Sequence, residues 1–337
     1  IKVIDCIWEG TSNIEQCQQK SAEHSVVLKY NSLFHIHMVN TMLSRFRMYL
    51  YAQHFSLILE NTNIQGHNGE EKTIIRVIQH SAWHLSRNTI QFVNVRMKDI
   101  ILETEGNSLF HFKVTSTFIE IINSSFINLS KLAFIQVNFK GYSNDETNVS
   151  IVIQSSEFKE IRSSQKYGAA IEVYVDDIIG HESVTHLRLF VLDSVFRRNQ
   201  IKVSGAAVAI APAQGLLNDK YRKHFEISAT FENCSFHNNR AGEAGGAILM
   251  GKFVNTEFIN CTFVSTEEEP LADQAMFLVT NDHTVMKESV FDIGKFQYIE
   301  SMFELRKVLG AFFEMNTTYF CPDWRYLSAE SSYNTLL

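Results

Sequence analysis

Apolar and polar residues alternate with a period of two along most of this chain, and a four-residue element interrupts the alternation at regular intervals. The element is an Asn or similar polar residue, a small residue, a variable one and a large apolar one. It reads Asn31-Ser-Leu-Phe34, Asn61-Thr-Asn-Ile64, Asn94-Val-Arg-Met97, Asn123-Ser-Ser-Phe126 and Ser155-Ser-Glu-Phe158. It continues as Asp193-Ser-Val-Phe196, Asn233-Cys-Ser-Phe236, Asn260-Cys-Thr-Phe263, Glu288-Ser-Val-Phe291 and Asn316-Thr-Thr-Tyr319. The starts are 30, 33, 29, 32, 38, 40, 27, 28 and 28 residues apart, so ten units span nearly the whole chain.

Two residues before the element stand Leu59, Phe92, Ile121, Ile153, Val191, Phe231, Phe258 and Met286; four before it stand Leu57, Ile90, Ile119, Ile151 and Leu189. Side chains two apart share one face of a strand, so these positions point into a core. Lys29 and Glu314 break the rule in the first and last units, where terminal repeats are expected to act as caps. A second strand is predicted after each element, at 108–114, 132–139, 169–175, 206–210, 247–250 and 276–280.

Short strands at this period, with scarcely a helical stretch between them, do not suit βαβ units. They suit an all-β fold: a single-stranded right-handed parallel β-helix of about ten coils, with equivalent strands stacked about 4.8 Å apart. The handedness follows from the crossover rule. A sandwich or propeller would need regular hairpin turns, and only Asn68-Gly69 offers one. The predicted organisation is a cap over 1–24, the β-helix over 25–319, and a further cap or the start of another region over 320–337.

Three coils carry a more specific pattern. Phe196-Arg-Arg-Asn199 precedes Ser204-Gly-Ala-Ala-Val-Ala-Ile210, Phe236-His-Asn-Asn239 precedes Gly245-Gly-Ala-Ile248, and Tyr167-Gly-Ala-Ala-Ile171 follows Phe158. This resembles the FxxN and GGA(I/L/V) repeats of the polymorphic outer-membrane-protein family, over about residues 155 to 265. The resemblance implies a right-handed parallel β-helix used as a surface adhesin.

The composition narrows the function classes. A net charge of −7 with interspersed signs argues against a partner held through phosphate contacts, so no nucleic acid is expected. No run approaches the ~18 apolar residues of a membrane span. The start at Ile1 has no signal-peptide character, so a leader is expected to have been removed or to lie outside this sequence. Six N-x-S/T sequons occur, at Asn123, Asn128, Asn148, Asn233, Asn260 and Asn316. Asn128 and Asn148, outside the repeat position, are the stronger glycan candidates; the others double as turn residues.

Cys234 and Cys261 occupy one position in consecutive coils, within disulfide reach of each other, though Cys also simply replaces the small Ser or Thr of that position. Cys6 and Cys17 could close a loop over the N-terminal end; Cys321 is left over. Either bridge would imply an oxidising compartment.

Chemistry is sparse. Asp176, Asp177 and His181 are similar to the Asp-Asp and Gly-His elements of pectin hydrolases, but share one loop where that family separates them. His35 with His37, and His80 with His84, lack a third ligand, so neither a metal nor a cofactor is expected. The period lengthens around 141–147, 176–186 and 212–224, in three successive coils. Insertions at one point of neighbouring repeats project from one side of a solenoid, which makes Asp176, Asp177, His181, Asp219, Tyr221 and Arg222 a candidate binding cluster.

The expectation is a non-catalytic extracellular or cell-surface β-helix glycoprotein module for adhesion, recognition or structural assembly. Its partner would be a protein or carbohydrate, or further subunits stacked end to end. The alternative is a polysaccharide lyase or glycoside hydrolase working in a groove along the helix.

Overall fold

The computed structural model describes residues 6–9, 19–20, 23–29, 33–44, 46–52, 54–65, 75–79, 88–101, 108–114, 116–137, 147–164, 167–175, 185–212, 225–242, 246–251, 254–264, 277–279, 283–292, 303–305 and 312–320. Among them there is no helix. The strands form a first sheet of 19 strands, a second of 11 and a third of 3.

One coil shows the plan. Phe110–Val114 lies in the second sheet, and Thr117–Ile122 and Ser125–Leu129 are consecutive legs in the first. The next coil repeats this with Ala133–Val137, Thr147–Gln154 and Glu157–Lys159, each strand parallel and in register with its predecessor. Ten second-sheet strands stack in this way, from Glu23–Lys29 to Phe303–Leu305. This is the expected parallel β-helix, and ten rungs about 4.8 Å apart make a stack about 45 Å long. The third sheet, Arg162–Ser163, Gln200–Ile201 and Arg240–Ala241, lines the return corner of three coils.

Among the described strands only the N-terminal ones run antiparallel. Cys6–Glu9 pairs with Leu33–Val39 and Gln19–Lys20 with Glu23–Lys29, so the first sheet's leading edge is covered.

The four-residue element is the bend between the two legs of the first sheet. Asn61, Asn94, Asn123, Ser155, Asp193, Asn233, Asn260 and Glu288 all take the left-handed backbone, with φ between 48° and 53°. Asn tolerates that region better than most residues, which explains its prevalence here. The small residue next to it is buried, and the large apolar residue fills the core: Ile64, Met97, Phe126, Phe158, Phe196, Phe236 and Phe263 are sealed. From Phe126 to Phe263 the rings form one column with centroids 4.7 to 5.2 Å apart, each worth about 0.5–1.5 kcal/mol beyond its buried area.

The first unit is phased differently from the sequence reading. Its bend is Asn40-Thr-Met-Leu43, with Asn40 at φ 53°. Phe34 of Asn31-Ser-Leu-Phe34 instead lies within Leu33–Val39 and pairs with Phe55. Lys29 is therefore no exception to the core rule, because it ends a second-sheet strand. In the last unit Asn316 pairs with Lys287 and Thr317 with Ser289, so that rung lacks a counterpart to the Glu288 bend.

A second bend, not anticipated from the sequence, follows five residues after the first in five successive coils. Asp99, Asn128, Glu160, Arg198 and Asn238 hold it, with φ from 48° to 57°. It turns the chain out of the first sheet toward the return corner. Gly168 and Gly205 take φ of 57° and 75° at the start of the GGA-type segments. A Cβ on Gly168 would lie 2.5 Å from the Ile171 carbonyl oxygen, so only glycine lets the chain fold this closely onto the strand it feeds.

Candidate functional site

Each first bend carries two stacks of side chains, one inside and one outside. Inside, the hydroxyl of Ser124 donates to the Ile122 carbonyl at 2.8 Å and accepts from the Val95 amide of the preceding coil at 3.1 Å. Ser156 and Ser194 repeat this, accepting from the Ser124 and Ser156 amides at 3.1 Å. The bend thereby satisfies buried backbone groups that the left-handed turn takes out of the regular ladder. Outside, the amide groups of Asn94, Asn233 and Asn260 donate to the oxygens of Asn61, Asp193 and Asn233 at 2.8 to 3.0 Å. The small inner residue thus satisfies the backbone, and the outer Asn side chains join to one another.

Cys234 and Cys261 belong to the inner stack, buried and in place of Ser. They are free thiols in the structure. Cys234 donates to the Glu232 carbonyl at 3.2 Å, as the serines do. The hydrogen bond between the two sulphurs, with burial adding to it, pushes the Cys234 thiol well above its usual range; the same bond pulls Cys261 down. Cys6 lies in Cys6–Glu9, whereas Cys17 and Cys321 lie outside the described residues.

The FxxN asparagines build a further inner stack at the second bend. Asn199 is fully buried; its side chain accepts from the Ile161 amide at 3.0 Å and donates to the Phe158 carbonyl at 3.1 Å. Asn239 does the same one coil on, accepting from the Asn199 amide at 3.1 Å and donating to the Phe196 carbonyl at 2.9 Å.

The outward side of the second sheet holds groups that sequence reasoning missed. Lys131 and Glu172 form an ion pair sealed from solvent, with side chains 1% and 7% exposed, and the Lys131 ammonium also donates to the Tyr167 carbonyl at 3.1 Å. Burial pushes Lys131 down and Glu172 up from their ordinary values, and their mutual attraction opposes both shifts. The partners are 41 residues apart with no periodic signature, so nothing in the sequence marks them. Along the same row, burial first and then the charges of Arg76, Lys113 and Lys131 lower His111 to about 4. It is neutral at physiological pH.

Each of the three long insertions is preceded by a second-sheet strand and followed by a first-sheet strand: Ala133–Val137 and Thr147–Gln154, Ile171–Val175 and Thr185–Leu192, Val208–Pro212 and Phe225–Glu232. Asp176, Asp177, His181, Asp219, Tyr221 and Arg222 themselves lie outside the described residues. Among the sequons, Asn123, Asn233 and Asn260 are exposed at the first bend, and Asn148 is exposed on Thr147–Gln154. Asn128 is not outside the repeat: it holds the second bend, and its amide donates to Asp99 at 2.7 Å. Asn316 lies on Phe312–Phe320.

His35 and His37 meet edge to face with ring centroids 6.4 Å apart, and His37 approaches Glu60 at 3.2 Å. His80 and His84 lie outside the described residues. Among the described residues no three His, Cys, Asp or Glu side chains group as metal ligands. No helix of the described residues is long and apolar enough to cross a membrane. Compared with family models, with curated proteins and with solved structures, the chain matches none.

Proposed function

We propose that the chain is a non-catalytic β-helix module, extracellular or on a cell surface, that serves adhesion, recognition or structural assembly. One observation carries this reading. The inward columns repeat nearly the same residue from coil to coil, as in the Phe126-to-Phe263 column. An outward column of the other leg of the first sheet changes at every rung, through Gln91, Glu120, Val152, Phe190, Thr230 and Glu257. Inner uniformity holds the rod, and outer variety is what a recognition surface needs. The exposed sequons at Asn123, Asn148, Asn233 and Asn260 support a glycoprotein of the secretory route, and the adhesin-type repeats around 155 to 265 agree with it. With a net charge of −7 and both signs interspersed, a protein or carbohydrate is the partner class proposed.

The test is incubation of the purified chain with plant, microbial and animal polysaccharides, with and without calcium, alongside binding to cell surfaces. The reading expects saturable retention without product release. Depolymerisation that is lost in Asp176→Asn or His181→Ala would overturn it in favour of a polysaccharide lyase or hydrolase.

A further inference from the structure

The outward face of the first sheet carries a ridge that the fold itself does not use. Three successive rungs present Phe118, Glu120 and Ile122; then Ser150, Val152 and Gln154; then Arg188, Phe190 and Leu192. Their inward neighbours Ile119, Ile151 and Leu189 are buried, whereas Phe118, Val152, Phe190 and Leu192 are only half-buried and Arg188 is exposed.

Rungs about 4.8 Å apart and alternate residues about 6.8 Å apart fix the plan of this face. On that grid Phe118, Val152, Phe190 and Leu192 fall within about 2 Å of one diagonal line. Glu120 and Arg188 stand on opposite sides of the line, each about 6 Å from it. Glu120 already accepts a hydrogen bond from the Gln91 amide at 2.7 Å, which fixes its carboxylate on the face.

An isologous interface requires a patch that is its own complement about a two-fold axis. When two faces meet, that axis lies in the plane between them. An axis along the diagonal lays the apolar ridge on itself and carries Glu120 of each copy onto Arg188 of the other. The remaining simple choices are poorer: an axis along the strands sets Glu120 against Phe190, and one along the rod through Val152 sets Glu120 against Glu120.

The geometry points to a second copy of this chain as the partner of this face, in a two-fold dimer with Phe118, Val152, Phe190 and Leu192 at its centre and two Glu120–Arg188 pairs flanking them. The inference goes beyond the function proposed above and holds whatever the rod recognises elsewhere. Three rungs by about 20 Å bury about 300 Å² per copy, well below the ~800 Å² per partner of standard stable complexes, so the dimer is weak and reversible.

Sedimentation equilibrium of the chain from about 10 µM to about 1 mM tests this, run also on Asn148→Gln so that a glycan at the margin of the face does not mask the contact. The expected result is a monomer–dimer equilibrium in the glycan-free form. Glu120→Arg and Arg188→Glu each weaken it by about tenfold or more, because each sets like charges together twice. Mixing the two variants restores association, since each then supplies what the other lacks. Phe190→Ser abolishes it with unchanged circular dichroism and thermal unfolding. A chain that stays monomeric throughout in both forms, a dimer indifferent to either reversal, or a mixture that associates no better than its components would each overturn the inference.

Discussion

Asn94 and Asn199 are the same residue type, and each sits in a stack of side chains running from coil to coil. The Asn94 stack is exposed: its amide reaches Asn61 at 2.9 Å across the outside of the bend. The Asn199 stack is sealed: its side chain holds the Ile161 amide and the Phe158 carbonyl inside the coil. Outside, water replaces a lost partner at little cost. Inside, a lost partner leaves a buried group unsatisfied, at about 1–3 kcal/mol. Two ladders that look alike in sequence therefore do different work: one closes the backbone accounting of the rod, and the other decorates its surface.

The ion pairs repeat that contrast and give the largest expected effect. Lys131→Met should destabilise by about 3–5 kcal/mol, because it leaves Glu172 charged or protonated in a sealed site; adding Glu172→Leu should recover most of the loss. Lys287→Met, which breaks the open pair with Glu257 at 2.8 Å, should cost less than about 1 kcal/mol. Urea unfolding of the three variants beside the parent checks this, and equal losses at the two sites would break the comparison.

Next in size is a pH effect from His111. Its folded value of about 4 lies below the ordinary value of 6.5, so the unfolded chain takes up a proton first as pH falls. Stability is unaffected by this group above about pH 6.5 and declines between about pH 6.5 and 4, by up to about 3 kcal/mol. Unfolding curves of the parent and His111→Gln across that window should diverge in slope, and parallel curves would remove the assignment.

The two asparagine stacks follow. Asn199→Ala should cost about 2 kcal/mol and Asn94→Ala less than about 0.5 kcal/mol, as read from denaturant midpoints. Smallest, and opposite in sign, Ser155→Asn should stabilise by about 0.5 kcal/mol. Ser155 holds φ of 49° where neighbouring coils have Asn, and an Asn there suits the backbone better. A lower melting temperature in that variant would argue that the bend tolerates Ser as well as Asn.

These contrasts also mark what could be read from residues alone. The first bend was legible because its core residue and its polar residue recur together, and the alternation before it fixes which face is buried. The phase of the first unit was not: Asn31-Ser-Leu-Phe34 imitates the element, while the true Asn40-Thr-Met-Leu43 lacks the aromatic residue and belongs to a coil of only 21 residues between bends. The second bend escaped notice because Asp, Asn, Glu, Arg and Asn fill it, so the backbone repeats while the residue type does not. Lys131 and Glu172 stood in the sequence without period or motif, and only the stacking of one coil on the next brings them together. The lengthening of the period at 176–186 and 212–224 was legible as well, and the candidate cluster drawn from it lies outside the described residues.

The central claim is that side chains of the inner stacks complete the backbone ladder where the bends interrupt it. Native-state hydrogen exchange tests this most directly at the amides of Val95, Ser124, Ser156 and Ile161, each of which donates to a side chain one coil on. The account predicts protection equal to that of strand amides such as Ile121 and Ile153, with the Ile161 amide losing it in Asn199→Ala. Exchange at these four positions as fast as in an unstructured peptide would contradict it.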